Sequence, residues 1–214
     1  MTSRLAAAVA AMLVLAACAV RSQHEPSTAT DPERVDLPGV PADRVVNFPA
    51  IDPVDGSLWF SSYAGEAFNR QTIVRAPRAG GGWGAPAPAV LPEGDRWGGR
   101  APRFSADGRR LYFTSNRPRS AADSVPNWNI WMVERRGAGW GQPVALPEPV
   151  NSDQAEIHAA ATAAGDLYVP SRRPGSLGLT DVWRVPRRGD GWGPAEHLPA
   201  PINDARSQPD LWVA

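Results

Sequence analysis

Residues 102–151, PRFSADGRRLYFTSNRPRSAADSVPNWNIWMVERRGAGWGQPVALPEPVN, decide the fold. They predict four short strands separated by turns. Asp107-Gly108 is a tight-turn pair because glycine tolerates positive φ, and residues 111–114 are rich in strand-favouring side chains. Nothing in the stretch repeats with the 3.6-residue period of an amphipathic helix. We therefore predict an all-β unit.

The same signals recur in the same order before and after this stretch. The second-strand leucines lie 53 and 56 residues apart, at Leu58, Leu111 and Leu167. The tryptophans of three Gly-Trp-Gly turns lie 57 and 52 residues apart, at Trp83, Trp140 and Trp192. Markers in constant order indicate an internal repeat. Three four-stranded units are predicted, over residues 44–92, 101–147 and 156–199.

A four-stranded unit of about 50 residues with glycine and aromatic punctuation is typical of one β-propeller blade. The segments PRFSADG (102–108), LYFTSNR (111–117) and NIW (129–131) resemble the blade motif of TolB-type WD40-like repeats. Residues 171–175 and 181–183 match the later half of that motif, and the first unit matches more loosely. The resemblance covers nearly everything after residue 44. It implies a β-propeller of four-stranded antiparallel blades.

The last residues of the sequence resemble the beginning of another unit. Residues 207–213 (SQPDLWV) are similar to a first strand, so the start of a fourth unit is predicted at 207–214. Three blades and one strand would leave two exposed sheet edges. We therefore expect a truncated propeller within residues 44–214. Completion of a blade elsewhere and closure by self-association are the alternatives.

The N-terminal segment predicts export. Arg4 precedes an apolar run over residues 5–15, which is too short to span a bilayer, so residues 1–17 form a predicted signal peptide. Cys18, the single cysteine, follows Leu-Ala-Ala and resembles the lipidated cysteine of a bacterial lipobox. An ordinary secretory signal with a chance cysteine is the alternative. Ala19 after the cysteine favours, by analogy with enterobacterial sorting, the periplasmic face of the outer membrane.

The composition of one segment and the charge of the whole chain limit the possible roles of the protein. Residues 18–43 are rich in Pro, Ser, Thr and charge, and they predict a lipid-anchored flexible tether. The formal net charge is zero and the isoelectric point is near 6.8. A balanced charge argues against nucleic-acid binding driven by bulk electrostatics.

Polar residues on the first strands are the candidate ligand contacts, because first strands line the channel of a propeller. Glu156 and His158 begin the first strand of the third unit. Arg100, Arg103 and Asn47 are the equivalents in the other units. Together they predict a polar channel mouth that holds a ligand, with the arginines suited to an anion. Solvated strand residues without a ligand are the alternative.

The tryptophans fall into two groups. Trp83, Trp140 and Trp192 occupy one repeat position, which predicts packing on the neighbouring strand, with a carbohydrate platform as the alternative. Trp97 and Trp128 are less regular and lie in predicted loops. They are the candidates for an exposed aromatic contact with a ligand.

Arg117 and Arg173 recur shortly after the second strand of two units. The family resemblance implies a structural role for this arginine, which would bond loop carbonyls or the side chains of Asn129 and Asp181. Ligand contact is the alternative.

No catalytic set is predicted. Ser61, Ser115 and Ser171 are assigned to one repeat position, where recurrence favours a structural hydrogen bond, and no Gly-x-Ser-x-Gly elbow surrounds any of them. Turn acids such as Asp107 and Asp123 lack the spacing of a calcium loop. We expect neither a metal nor a cofactor.

The lipobox and the repeats imply a cell-envelope lipoprotein that acts as a binding or scaffold module. Its expected partner is an envelope protein, a peptide or a glycan, bound by loops on one face. A propeller-type glycan lyase or hydrolase, or a peptidase accessory domain with a site at the channel mouth, is the alternative. A sensor module is a third possibility.

Overall fold

The computed structural model describes residues 37–65, 67, 70–92, 97–120, 123 and 127–210. The predicted signal peptide, Cys18, most of the tether and residues 211–214 lie outside the described residues. The described part is all-β, with antiparallel sheets and no α-helix. Within this part no helix has the length and apolar composition needed to cross a membrane.

The first sheet has four antiparallel strands in the order β1-β2-β3-β6. Its strands are β1 (Arg44–Ile51), β2 (Leu58–Ala64), β3 (Thr72–Ala76) and β6 (Ala87–Pro88). A short hairpin follows β3. Its two strands, of two residues each, are β4 (Arg78–Ala79) and β5 (Gly82–Trp83). Leu37 and Val40 pack against the face that carries Leu58 and Phe60.

The second sheet repeats this arrangement around a long third strand. Its strands are β7 (Gly99–Phe104), β8 (Arg110–Ser115), β9 (Asn129–Arg136), β10 (Gly139–Trp140) and β11 (Val144–Ala145). Strand β9 pairs with β10 at its end and with β11 near its middle. The fourth strand of this unit is divided into β10 and β11. The strand is interrupted around Pro143, which has no N–H to donate to a ladder.

The third sheet has the order β12-β13-β14-β17. Its strands are β12 (Ala160–Ala161), β13 (Leu167–Ser171), β14 (Asp181–Val185) and β17 (Glu196–His197). The hairpin after β14 joins β15 (Arg187–Arg188) to β16 (Gly191–Trp192). The three sheets therefore share one strand order, and each Gly-Trp pair lies in a short hairpin after the third strand.

Consecutive sheets pack face to face through apolar side chains. The interface between the first and second sheets consists of Trp59, Ile73, Leu111, Phe113, Trp131 and Val133. The interface between the second and third sheets includes Tyr112, Ile130, Leu146, Val150, Leu167, Val169 and Val185. Full burial of such a side chain contributes about 1.5–3 kcal/mol each, so these two layers supply most of the driving force.

A recurring main-chain hydrogen bond also joins consecutive sheets. In each case a first-strand N–H donates to the carbonyl of the residue just before the third strand of the preceding sheet. The three bonds are Gly99 N to Gln71 O (2.8 Å), Glu156 N to Trp128 O (2.9 Å) and Gln208 N to Thr180 O (2.7 Å). The third bond places residues 207–210 beside the third sheet, in the position of a first strand, although they form no strand ladder.

Hydroxyl groups of the second strands make a further link. The Ser61 hydroxyl accepts the N–H of Ala101 at 2.8 Å, and the Thr114 hydroxyl donates to the carbonyl of Ile157 at 2.8 Å. The register corrects the sequence alignment here, because Ser61 pairs with Ile73 as Thr114 pairs with Ile130. Ser61 is thus equivalent to Thr114, and its predicted equivalence with Ser115 and Ser171 was wrong by one residue.

Each hairpin tryptophan lies beside an arginine of the same hairpin or strand. The guanidinium carbons lie 5.1, 4.4 and 4.8 Å from the ring centroids in the pairs Arg78–Trp83, Arg135–Trp140 and Arg187–Trp192. The three rings are half-buried and also pack against the apolar layers. Their packing matches the structural interpretation of the repeat position.

A buried asparagine after the fourth strand closes the second and third units. The Asn151 side chain accepts the N–H of Ile130 at 2.7 Å and donates to the carbonyls of Ile130 and Leu146. Asn203 makes the equivalent bonds to Val182 and Leu198. The sequence analysis missed this residue, although the pattern Leu-Pro-x-Pro-x-Asn occurs in both units.

Replacement of Asn151 by alanine should destabilise the fold by about 3 kcal/mol, because the buried Ile130 N–H and Leu146 carbonyl lose their side-chain partner and the Ile130 carbonyl keeps only the N–H of Leu146. Chemical denaturation of the full-length protein measures this change. Gln142→Ala, at an exposed position between β10 and β11, is the control and should alter the free energy of unfolding by less than about 0.5 kcal/mol. Equal effects of the two substitutions would contradict the structural role of Asn151.

Candidate functional site

The first strands of the three sheets lie side by side, and those of the first two sheets change register at one point. Strand β1 slips between Asn47 and Ala50, and β7 slips between Arg100 and Arg103. At these bulges the backbone is left-handed without glycine, with φ of 53° at Phe48 and 52° at Ala101. Non-glycine residues rarely adopt this conformation, so the surrounding bonds must hold it in place.

The bulge position is the second residue after the recurring main-chain bond. In the third sheet this position is His158, and in the segment that follows it is Asp210. We call Phe48, Ala101, His158 and Asp210 the bulge ring; among the described non-glycine residues φ is left-handed at Phe48 and Ala101 alone. The rings of Phe48 and His158 lie 6.1 Å apart, and His158 Nε2 lies 3.0 Å from Asp210 Oδ1. Members of the bulge ring are therefore in contact across different sheets.

His158 is completely buried. Burial lowers the pKa of its imidazole, and the positive charges of Arg103 and Arg100 act in the same direction, whereas Asp210 opposes them. A lowered pKa keeps the ring neutral at neutral pH. The neutral imidazole can donate one hydrogen bond to a carboxylate through Nε2.

Arg103 extends beneath the bulge ring and is also buried. Its Nη1 donates to the carbonyls of Pro49 and Pro102 at 3.2 and 3.0 Å, and its Nη2 lies 3.8 Å from Asp210 Oδ1. Burial lowers the pKa of the guanidinium, although Asp210 opposes this effect. Arg103 and His158 thus approach the same carboxylate oxygen.

Arg100 and Trp128 form the neighbouring part of the site. The Arg100 guanidinium lies 4.1 Å from the centre of the half-buried Trp128 ring, which is a close cation–π contact. Arg100 itself is 4% exposed. Burial and the like charge of Arg172 lower its pKa to about 10. The positive charge is therefore held in an environment that would favour an anion.

Glu156 belongs to a separate buried network. Its Oε1 accepts the N–H and the hydroxyl of Ser152 at 3.0 and 2.6 Å and the hydroxyl of Ser171 at 3.2 Å. Arg173 Nη2 lies 3.4 Å from the same oxygen. Burial raises the pKa of Glu156 to about 7, and the hydrogen bonds from Ser152 and the charge of Arg173 oppose only part of this shift.

Arg173 joins this network to a loop of the second sheet. Its guanidinium donates to the carbonyls of Pro149 and Val150 at 2.9 and 2.7 Å and to the hydroxyl of Ser171 at 3.1 Å. Loop carbonyls were one of the two sets of partners that the family resemblance implied. Asp181, the other implied partner, instead accepts bonds from the third unit's own loop and from His197.

The equivalent residues of the second unit are also buried. Arg117 Nε donates to the hydroxyl of Ser115 at 3.2 Å, and its guanidinium lies 5.0 Å from the Trp131 ring. Asn129 donates to the carbonyl of Asn127 at 3.2 Å. In the third unit, burial would raise the pKa of the Asp181 carboxyl. The hydrogen bonds that it accepts from Leu177 N, His197 and Gly178 N outweigh this effect and lower the pKa overall.

Trp97 lies apart from the group around the bulge ring. It lines a small cavity between the first two sheets, together with Ile73, Phe113 and Arg117. The structure therefore brings together Arg100, Arg103, Trp128 and His158, and it places Glu156 in a neighbouring network. Asp210 completes the group. Sequence reasoning missed it because its position depends on the main-chain bond of Gln208.

The group offers charge, hydrogen bonding and an aromatic face. In the part of the chain that the structure describes, no set of three or more His, Cys, Asp or Glu side chains is placed to hold a metal ion. Two buried guanidiniums, a neutral imidazole and an indole are suited to bind an anionic or aromatic group.

No protein-family model matches the sequence, and no curated protein matches it. Solved structures do match. A puromycin-hydrolysing peptidase of Mycobacterium tuberculosis is 19% identical, with a TM-score of 0.46 over 79% of this chain and 24% of that protein. A prolyl endopeptidase chain is 19% identical, with a TM-score of 0.36 over 66% of this chain. The chain spans 24% and 19% of the lengths of these two proteins.

The contribution of Glu156 to the free energy of unfolding should fall as the pH rises from 5 to 8, because the folded-state pKa of Glu156 lies above its unfolded value. His158, whose pKa burial lowers, contributes a slope of the opposite sign in part of this range, so the Glu156 contribution is measured as a difference between wild type and variant. The stabilisation is complete below about pH 4.5 and is lost as the pH passes through about 7. Its size is about 3 kcal/mol at most. Chemical denaturation at several pH values should therefore show that the free energy of unfolding of wild type, minus that of Glu156→Gln, falls as the pH rises.

Glu148→Gln, at an exposed position near this network, is the matched control and should keep the wild-type pH profile. The aspartates whose pKa is lowered, such as Asp166 and Asp181, remain ionised between pH 5 and 8 and do not contribute a slope there. An unchanged profile in Glu156→Gln would show that the buried carboxyl does not titrate in this range.

Proposed function

We propose that this protein is a cell-envelope lipoprotein with TolB-type, WD40-like β-propeller repeats, and that it acts as a binding or scaffold module. Its partner is an envelope protein, a peptide or a glycan. Three sheets with one strand order, stacked face to face with their first strands adjacent, support the propeller arrangement. The blade motif in the second unit supports the repeat type.

One observation carries the binding function. Arg100, Arg103, Trp128 and His158 come from different sheets and loops, yet they meet around the bulge ring. Their side chains are buried or half-buried although three of the four are ionisable. Burial of two guanidiniums at one place costs free energy unless the charge is compensated, and an anionic ligand would supply part of that compensation.

The envelope location rests on the N-terminal sequence. An apolar run ending in Leu-Ala-Ala-Cys supports lipidation of Cys18, and the buried methylene groups of the lipid chains would hold the protein at a membrane. Ala19 supports placement on the periplasmic face of the outer membrane. These features act independently of the binding site.

Capture of a partner should depend on the group around the bulge ring. Tagged full-length protein is incubated with detergent-solubilised envelopes, and the bound material is compared between wild type, Trp128→Ala and Arg100→Gln. Both variants should retain at most about a tenth of the wild-type partner, which corresponds to a loss of about 1.4 kcal/mol or more. Arg109→Gln, an exposed arginine of a turn, is the control and should capture as much as wild type.

A parallel screen for glycan and peptide hydrolysis distinguishes a binding module from an enzyme. Turnover that disappears in His158→Ala would contradict the proposed function. Equal capture by Trp128→Ala and wild type would show that the partner binds elsewhere.

Replacement of Cys18 by serine should release the protein from membranes, because serine cannot form the thioether that carries the lipid. Fractionation of cells into membrane and soluble material measures the change. Wild type should be recovered with the outer membrane and the variant with the soluble periplasm. A variant that stays membrane-bound would refute lipid anchoring.

A further inference from the structure

The chain supplies a carboxylate to its own binding group. Asp210 Oδ1 lies 3.0 Å from His158 Nε2 and 3.8 Å from Arg103 Nη2. The two basic side chains are buried, whereas the Asp210 side chain is 65% exposed. Arg103 belongs to β7 and His158 lies just before β12, whereas the carboxylate belongs to a segment at the surface.

Positively charged side chains predominate around the Asp210 carboxylate. Arg100 and Arg103 are each more than nine-tenths buried, and both have a lowered pKa because burial removes the guanidinium from water. The like charge of Arg172 adds to the effect at Arg100. Glu156, the nearby buried carboxyl, is bonded to Ser152, Ser171 and Arg173 instead. Carboxylates are favoured partners of such guanidiniums because they match their hydrogen-bonding geometry.

An apolar cavity adjoins the same arginine. Its volume is about 410 Å³, and its lining includes Arg103, Ile51, Leu58, Phe104 and Ala161. Cavities of roughly 300–1,000 Å³ with mainly apolar walls and a few polar groups are typical of small-molecule sites. A ligand that reaches Arg103 from this cavity would combine an apolar body with one anionic group.

We propose that His158 and Arg103 bind the carboxylate of an external ligand with a small apolar body, and that this carboxylate replaces that of Asp210. The inference rests on the proposed binding function and specifies its ligand chemistry. The source of the carboxylate is either a small organic acid or the C-terminus of a peptide. The carboxylate accepts the Nε2–H of His158 and pairs with Arg103, and the apolar body fills the cavity.

Asp210 is placed to exchange with such a ligand. Residues 207–210 form no strand, and Ser207, Pro209 and Asp210 are exposed. The segment is attached to the third sheet by the bond from Gln208 N to Thr180 O. A tethered carboxylate competes at a high effective concentration, so it weakens the apparent affinity of any external carboxylate. Removal of its charge should therefore increase that affinity.

The test is calorimetric titration of the full-length protein in detergent with sodium hexanoate. Wild type should bind hexanoate saturably, and Asp210→Asn should bind it about tenfold more tightly, equivalent to about 1.4 kcal/mol. Neutral 1-hexanol should not bind either protein. Arg103→Gln in the Asp210→Asn background should lose hexanoate binding, whereas Arg109→Gln in that background should retain it.

The Asp210→Asn variant decides the question even where Arg103→Gln fails to fold, because Asp210 is exposed. An unchanged affinity for hexanoate in Asp210→Asn, or equal binding of 1-hexanol and hexanoate, would overturn the inference. The tripeptide Ala-Ala-Leu and its C-terminal amide identify the source of the carboxylate. Binding of the free tripeptide but not the amide supports a peptide C-terminus, and binding of hexanoate alone supports a small organic acid.

The outcomes also separate this inference from the proposed function. Capture of an envelope partner that depends on Trp128 and Arg100, without any binding of hexanoate or of the free tripeptide, overturns the carboxylate site alone. Tight hexanoate binding by Asp210→Asn, with no capture of an envelope partner, overturns the scaffold role and supports the site.

Discussion

The arrangement of neighbouring sheets in the described structure depends on one recurring main-chain hydrogen bond. Each bond runs from a first-strand N–H to the carbonyl just before the third strand of the preceding sheet. The donors are Gly, Glu and Gln, and the acceptors are Gln, Trp and Thr, so no side chain specifies the contact. The bond aligns the first strands, and the apolar layers between sheets then exclude water from it.

The sequence predicted the strands well because their signals are local. Leucine, aromatic residues and Gly-Trp-Gly turns lie within a few residues of the structures they specify, and the three sheets follow their order. The bulges at Phe48 and Ala101 were not predictable, since they arise from contacts with another sheet. For the same reason the candidate site was predicted only in part: Arg100, Arg103, Trp128 and His158 were named, but Asp210 was not, and Glu156 belongs to a neighbouring network.

Two buried arginines show how context determines the role of one residue type. Arg173 lies beside Glu156 and donates to two loop carbonyls, so it fastens the second sheet to the third. Arg103 also donates to two carbonyls through Nη1, but its Nη2 approaches the exposed carboxylate of Asp210. The difference follows from the position of the nearest acid. Glu156 lies beside Arg173 within the third unit, whereas Arg103, in β7, approaches the carboxylate of Asp210.

At the bulge ring, the bonds that join the sheets do not depend on the side chains of the ring. Hydroxyl groups of the preceding sheet bond to the main chain at Ala101 and at Ile157, next to His158, so the side chains of the bulge ring contribute no atom to these bonds. The ring accordingly contains a phenyl, a methyl, an imidazole and a carboxylate at equivalent places. A substitution at one of these places can change the chemistry of the bulge ring while the joints between sheets keep all their atoms. The side chains of the candidate site can therefore diverge one residue at a time, without a compensating change in the bonds that join the sheets.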